Sequence, residues 1–178
     1  MTRWVALLRG VNVGGISITM ADVRDALAAG GFENVKTVLA SGNVLFDSDR
    51  TDSAEVKSDI EAVLRERFGY DAWIVLVDVP TLTRIVDAFP FDAEREGWHP
   101  YVLLASDPAV LAEMMSAAAD LDLGDEEIRL GDGVLYWHVE RGQTLKSPFG
   151  KLTGKAKYKS TTTNRNLRTL QKALRACA

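Results

Sequence analysis

Arg9, Asn12, Gly14, Gly15 and Ser17 fall within one short stretch, "RGVNVGGIS", and residues of these types suit the capture of an anion. A glycine-rich turn entering a helix presents amide N–H groups without intrahelical partners, worth about 0.3–1 kcal/mol per exposed charge held there. Gly10, Gly15 and Ser17 keep the outer spacing of a phosphate-binding P-loop, but Ile16 stands where its lysine would meet the β/γ-phosphates. That argues against a Walker-type nucleotide hydrolase. Glycines at 10, 14 and 15 do not fit the dinucleotide fingerprint either. The plainer reading of the motif alone is a turn whose glycines supply positive φ.

Other chemistry is sparse. The chain has two histidines, His99 and His138, too few for a multi-histidine metal site. His138 alternates with Val134 and Tyr136 on one strand face, which reads as a structural, hydrogen-bonded histidine, and His99 reads as a loop residue ahead of a strand. There is no G-x-S-x-G elbow, and Ser147 to Lys151 is one residue too long for S-x-x-K. Ser41, Thr162, Thr163 and Lys151 remain as conceivable nucleophiles or bases without a visible activating partner. No reaction, catalytic residue or cofactor is indicated. The lone cysteine, Cys177, forms no intrachain disulfide and no cysteine-rich metal site.

These residues need elements to position them. Residues 3–9 read as a strand, 20–29 as a helix capped by Thr19, 35–39 and 44–46 as a hairpin, 53–68 as a helix and 73–77 as a strand. This is the β-α-β-β-α-β order of a ferredoxin-like lobe. In such a lobe the first and third strands are antiparallel neighbours. Arg9, Asn12, Gly14 and Gly15 therefore meet Ser41, Gly42 and Asn43 at one sheet edge, a place for an anionic or amide-bearing ligand. The alternative is that Asn12, Ser41 and Asn43 only satisfy loop backbone groups.

The second half reads as α-β-α-β-β-α: a helix opened by Pro80, a strand over 101–105, a helix over 108–120, and a hairpin of 127–130 with 134–140 around Gly-Asp-Gly. Basic, glycine-containing sequence follows, then a final helix from about Asn164. The expected fold is α+β, with two ferredoxin-like subdomains, 1–79 and 80–178, and a basic C-terminal helix.

At 178 residues, 47% apolar and 26% charged, the chain is long enough to bury about 70% of its unfolded surface, and its apolar runs are too short to span a bilayer. A cytoplasmic protein is expected. The net charge of −4 conceals a polarised chain: residues 141–178 hold ten Lys or Arg and no acidic residue. Arg165, Arg168, Lys172 and Arg175 form a helical stripe about 200° from the leucine stripe of Leu167, Leu170 and Leu174, so the cations should face outward. Before them "KSPFGKLTGKAKYKS" interleaves lysines with Phe149 and Tyr158, a pattern that suits a nucleic-acid backbone and stacked bases. The weightier alternative is a solvated face, or one that neutralises the acidic remainder of the chain.

Several segments taken together, "VALLRGVNVGG", "MADVRDALAAGGFENVKTVLASGNVLF", "KLT" and "RNLRTLQKAL", resemble the bacterial family known as domain of unknown function 1697. The resemblance implies two ferredoxin-like α+β subdomains and carries no established activity, cofactor or substrate. The chain departs from the family pattern "TTRNW" at Thr161 to Leu167, where an extra residue precedes the arginine and Leu167 replaces the tryptophan.

Three functional classes follow. The leading one is binding of a small anionic ligand by Arg9, Asn12, Gly14, Gly15, Ser41 and Asn43, with Lys151, Arg165 and Asn166 closing the site. The alternatives are weak electrostatic binding of nucleic acid through the basic segment, and an enzyme of unknown reaction. A free sheet edge would also permit a homodimer.

Overall fold

A computed structural model describes residues 1–9, 17–40 and 42–178. Among these the chain forms eight strands and seven helices, arranged as two four-stranded antiparallel sheets. The fold is α+β. It divides into two compact units, Met1–Thr83 with Gln171–Ala178, and Arg84–Leu170.

The first unit runs β1 (Thr2–Arg9), α1 (Met20–Ala29), β2 (Glu33–Val38), β3 (Asn43–Ser48), α2 (Ser53–Phe68) and β4 (Trp73–Asp78), with sheet order β2-β3-β1-β4. Thr19 caps α1 as its sequence predicts, its hydroxyl accepting from the Asp22 amide at 3.1 Å. On α2, Val56, Ile60 and Leu64 are fully buried, and Val63 and Phe68 are partly so. They meet Trp4, Ala6 and Leu8 of β1 and Val44 and Phe46 of β3 in one core. Burying each such side chain contributes about 1.5–3 kcal/mol. Glu61 joins the helix to the sheet: its Oε1 accepts the edge amide of Ile74 at 3.1 Å and pairs with Lys57. A carboxylate there satisfies a backbone donor that an edge strand leaves open.

The second unit contains β5 (Trp98–Ala105), α4 (Pro108–Ala118), β6 (Glu127–Leu130), β7 (Leu135–Glu140), α5 (Pro148–Thr153), α6 (Ala156–Lys159) and β8 (Thr162–Asn166), with sheet order β6-β7-β5-β8. α3 (Val79–Asp87) leads into this unit and α7 (Leu167–Cys177) leads out of it, each divided between the two units. Three expectations are corrected here. The basic stretch contains α5, α6 and the strand β8, which pairs with β5 from Ala105↔Thr162 to Tyr101↔Asn166, so α7 starts at Leu167 rather than near Asn164. His99 lies inside β5, opposite Val139. The predicted basic stripe is broken, because Arg165 is a buried strand residue whose Nη1 donates to Thr163 Oγ1 at 2.6 Å and to the Asn164 carbonyl at 3.1 Å. On α7 the buried positions are Leu167, Leu170 and Ala173, with Leu174 only half-buried.

The unit's core joins Leu111 and Met114 of α4, Leu135, Trp137 and Val139 of β7, and Phe149, Leu152 and Tyr158. Phe149 and Tyr158 are therefore packed inside, which corrects their reading as rings for stacking bases. Glu126, buried, fastens this core: Oε2 accepts from Trp137 Nε1 at 3.0 Å and Oε1 from the Phe149 amide at 2.9 Å. Gly150 is fixed by space, since a Cβ there would lie 2.0 Å from the Thr144 carbonyl oxygen.

Candidate functional site at the rim of the first sheet

Arg9 ends β1 and Asn43 begins β3. Their strands are antiparallel with Leu7 opposite Asn43, so both residues stand at the same end of the sheet. The Leu8 amide donates to the Gly42 carbonyl at 2.8 Å, which carries the pairing one step into the turn. Gly42 has φ +82°, and a Cβ there would come within 3.0 Å of Leu8 Cβ. The positive φ calls for glycine, and the close approach to Leu8 would crowd any larger residue. Leu39, at φ +59°, turns the other side of the same hairpin.

β4 adds a residue that the sequence reading did not place. Arg9 pairs directly with Trp73, and Arg9, Trp73, Leu7 and Asn43 share the sheet face opposite the one that carries Trp4, Ala6 and Leu8. Nothing in the spacing of positions 9 and 73 signals this neighbourhood; it comes from the register of β1 with β4. Trp73 is half-buried, so the arginine stands beside an aromatic side chain at the rim.

The structure divides the sequence candidates. Arg9 and Asn43 come to the same rim, while Asn12, Gly14, Gly15 and Ser41 lie outside the described residues. Asn43 is fully buried, and its Nδ2 donates to the Val38 carbonyl at 2.9 Å. It thus holds the ends of the hairpin turn together. Lys151, Arg165 and Asn166 belong to the second unit. Lys151 is exposed on α5, Arg165 is buried in β8, and Asn166 accepts the Arg168 amide at 3.0 Å with its Oδ1.

The histidines occupy contrasting places. His138 is 1% exposed, with Nδ1 3.0 Å from Glu127 Oε1, and its ring stacks on Phe91 at a centroid distance of 5.9 Å. The carboxylate acceptor puts the proton on Nδ1, and the buried Nε2 has no hydrogen-bond partner. His99 is half-buried, and burial together with the charges of Arg141 and Arg168 holds it below the usual histidine value near 6.5. The described residues contain no group of three or more His, Cys, Asp or Glu arranged to hold a metal ion, and no helix long and apolar enough to cross a membrane.

The family model for proteins of unknown function DUF1697 matches residues 1–136. The chain belongs to this family. The matched stretch contains both rim segments and stops within β7, so Lys151, Arg165 and Asn166 lie beyond it. Among solved structures, conserved bacterial protein SP0830 from Streptococcus pneumoniae is similar over 99% of this chain and 98% of its own, with a TM-score of 0.84 and 23% identity. That likeness establishes a shared fold. An unknown protein from Galdieria sulphuraria aligns over 93% of this chain and 96% of its own, at 12% identity and a TM-score of 0.28. No curated protein matches the chain.

Proposed function

We propose that this DUF1697 chain binds a small anionic ligand at the rim of its first sheet. Arg9 supplies the charge, the amides of Gly14 and Gly15 supply neutral donors, and Asn12 and Ser41 supply polar contacts. Asn43 positions the turn from beneath rather than touching the ligand. The observation that carries this reading is the register of β1 and β3, which sets Arg9 at the same end of the sheet as the Gly42–Asn43 turn. Anion recognition by convergent amides and one guanidinium is the chemistry such a rim can perform.

Two finer readings of the architecture accompany the proposal. Each unit is ferredoxin-like, supported by the strand order, which is the same in both sheets. The last helix keeps a basic surface in Lys172 and Arg175, which are exposed, rather than in the full stripe.

The test is thermal unfolding with inorganic phosphate and with sulfate. Phosphate at ten times its dissociation constant stabilises a binding protein by about 1.4 kcal/mol, or roughly 3–6 °C at this chain length. Arg9→Ala should diminish that rise. An equal rise in Arg9→Ala, or none in the parent protein, overturns the reading.

A further inference from the structure

The second unit gathers cations around an imidazole at one end of its sheet. His99 sits in β5 opposite Val139 of β7, and Arg141 directly follows β7, its amide donating to the Gly97 carbonyl at 2.7 Å. On the other side of β5, β8 pairs as far as Tyr101↔Asn166, and Arg168 is the second residue of the helix that follows. Arg168 Nη2 donates to the Ala93 carbonyl at 3.2 Å, and Asn166 Oδ1 holds its amide. The two arginines thus follow the two strands that flank β5, and the charges of both act on His99.

Among the described residues, no carboxylate lies within ion-pair distance of either guanidinium. Glu140, opposite Trp98, is one residue out of phase with His99 and takes the other face of the sheet. His99 Nδ1 is buried without a hydrogen-bond partner, although buried polar atoms in native proteins are nearly always satisfied. Its ring lies beside Tyr101 at 5.3 Å between centroids, and the Tyr101 hydroxyl is 3.2 Å from Thr144 Oγ1. Arg141 is exposed and Arg168 half-buried, so water reaches both charges, and a negative group joining them and the imidazole gains attraction from each.

We propose that His99, Arg141 and Arg168 form a binding site for a small oxyanion, a phosphate or a carboxylate, in the second unit. Planar guanidiniums suit both, because each presents paired donors to two oxygens. A bound anion neutralises the arginines and gives the imidazole a charged partner. The proposal involves other residues than the rim around Arg9 and stands whether or not that rim binds anything.

The experiment is to titrate the two histidine rings by NMR, alone, with inorganic phosphate and with acetate, assigning His99 by its loss in His99→Gln. A bound anion favours the imidazolium, so the His99 midpoint should rise by about one unit. The resonances of His138, on the other sheet face, report that the fold is intact. Arg141→Ala and Arg168→Ala should each raise the midpoint without added anion, by removing a repelling charge, and should abolish the further rise. Arg9→Ala should leave the His99 response unchanged while diminishing the stabilisation assigned to the rim. Phosphate alone acting identifies a phosphate site, and acetate acting equally identifies a carboxylate site. No response to either anion, or a response that survives loss of both arginines, overturns the proposal.

Discussion

Glu126 is a charged residue with a structural task. It is 8% exposed, and its two oxygens take the indole N–H of Trp137 and the backbone N–H of Phe149, tying β7 to the start of α5. In sequence it sits in an Asp-Glu-Glu run that reads as a solvated acidic face. Only the packing separates it from its exposed neighbours Asp125 and Glu127. Glu126→Ala would leave two buried donors without acceptors, each costing about 1–3 kcal/mol. The urea midpoint should therefore fall by an amount equivalent to about 2–4 kcal/mol, with Glu126→Gln losing less because its carbonyl oxygen still accepts one bond. Equal stability of parent and Glu126→Ala would show that neither bond matters. Asn43 follows the same logic: a polar residue within a loop signature, taken for a ligand contact, is buried and spends an amide N–H on the Val38 carbonyl.

At the scale of elements, legibility depended on whether apolar periodicity reached the element. α1, α2 and the β6–β7 hairpin lie within a residue or so of where their apolar spacing and turn residues place them. β8 has no such signal. Its sequence, TTNRN, is wholly polar, and its strand character comes from pairing with the β5 edge, which a single sequence cannot display. Missing that strand turned Arg165 from a buried residue into a helix-surface cation, and it also hid the approach of Arg168 to His99. The rim was more legible, because a β-α-β-β-α-β order forces the first and third strands together, although the Arg9–Trp73 pair needed the β1–β4 register. Two variants separate the readings of the basic segment. Arg165→Ala should destabilise by about 1–3 kcal/mol, because a buried hydrogen-bonded guanidinium is lost. Lys172→Ala, on the exposed side of α7, should stay within about 0.5 kcal/mol. Chemical denaturation of both reads the difference, and similar values would restore the picture of a uniform basic face.

For the molecule as a whole, His99 predicts how stability depends on pH. Burial and the nearby Arg141 and Arg168 charges disfavour its protonated form in the folded state. The unfolded chain then binds the proton more readily, so stability rises with pH wherever the two states differ in protonation. This contribution is complete above the unfolded value near 6.5 and is lost as the pH falls through the lower folded value. Urea midpoints measured between pH 7.5 and 5.5 should decline toward acid, with a shallower decline in His99→Gln and in Arg141→Ala combined with Arg168→Ala. An unchanged slope in these variants would assign the acid sensitivity to other groups.

The first compact unit is built from two separated stretches, Met1–Thr83 and Gln171–Ala178. Cys177, near the end of the second stretch, lies beside Arg3 of β1, where burial raises its thiol above the ordinary cysteine value. A ribosome making this protein finishes the long piece of that unit early and must synthesise the entire second unit before the short piece appears. The four strands of the opening sheet are thus all made before the second unit, while the helical stretch that shares their unit is made only after it.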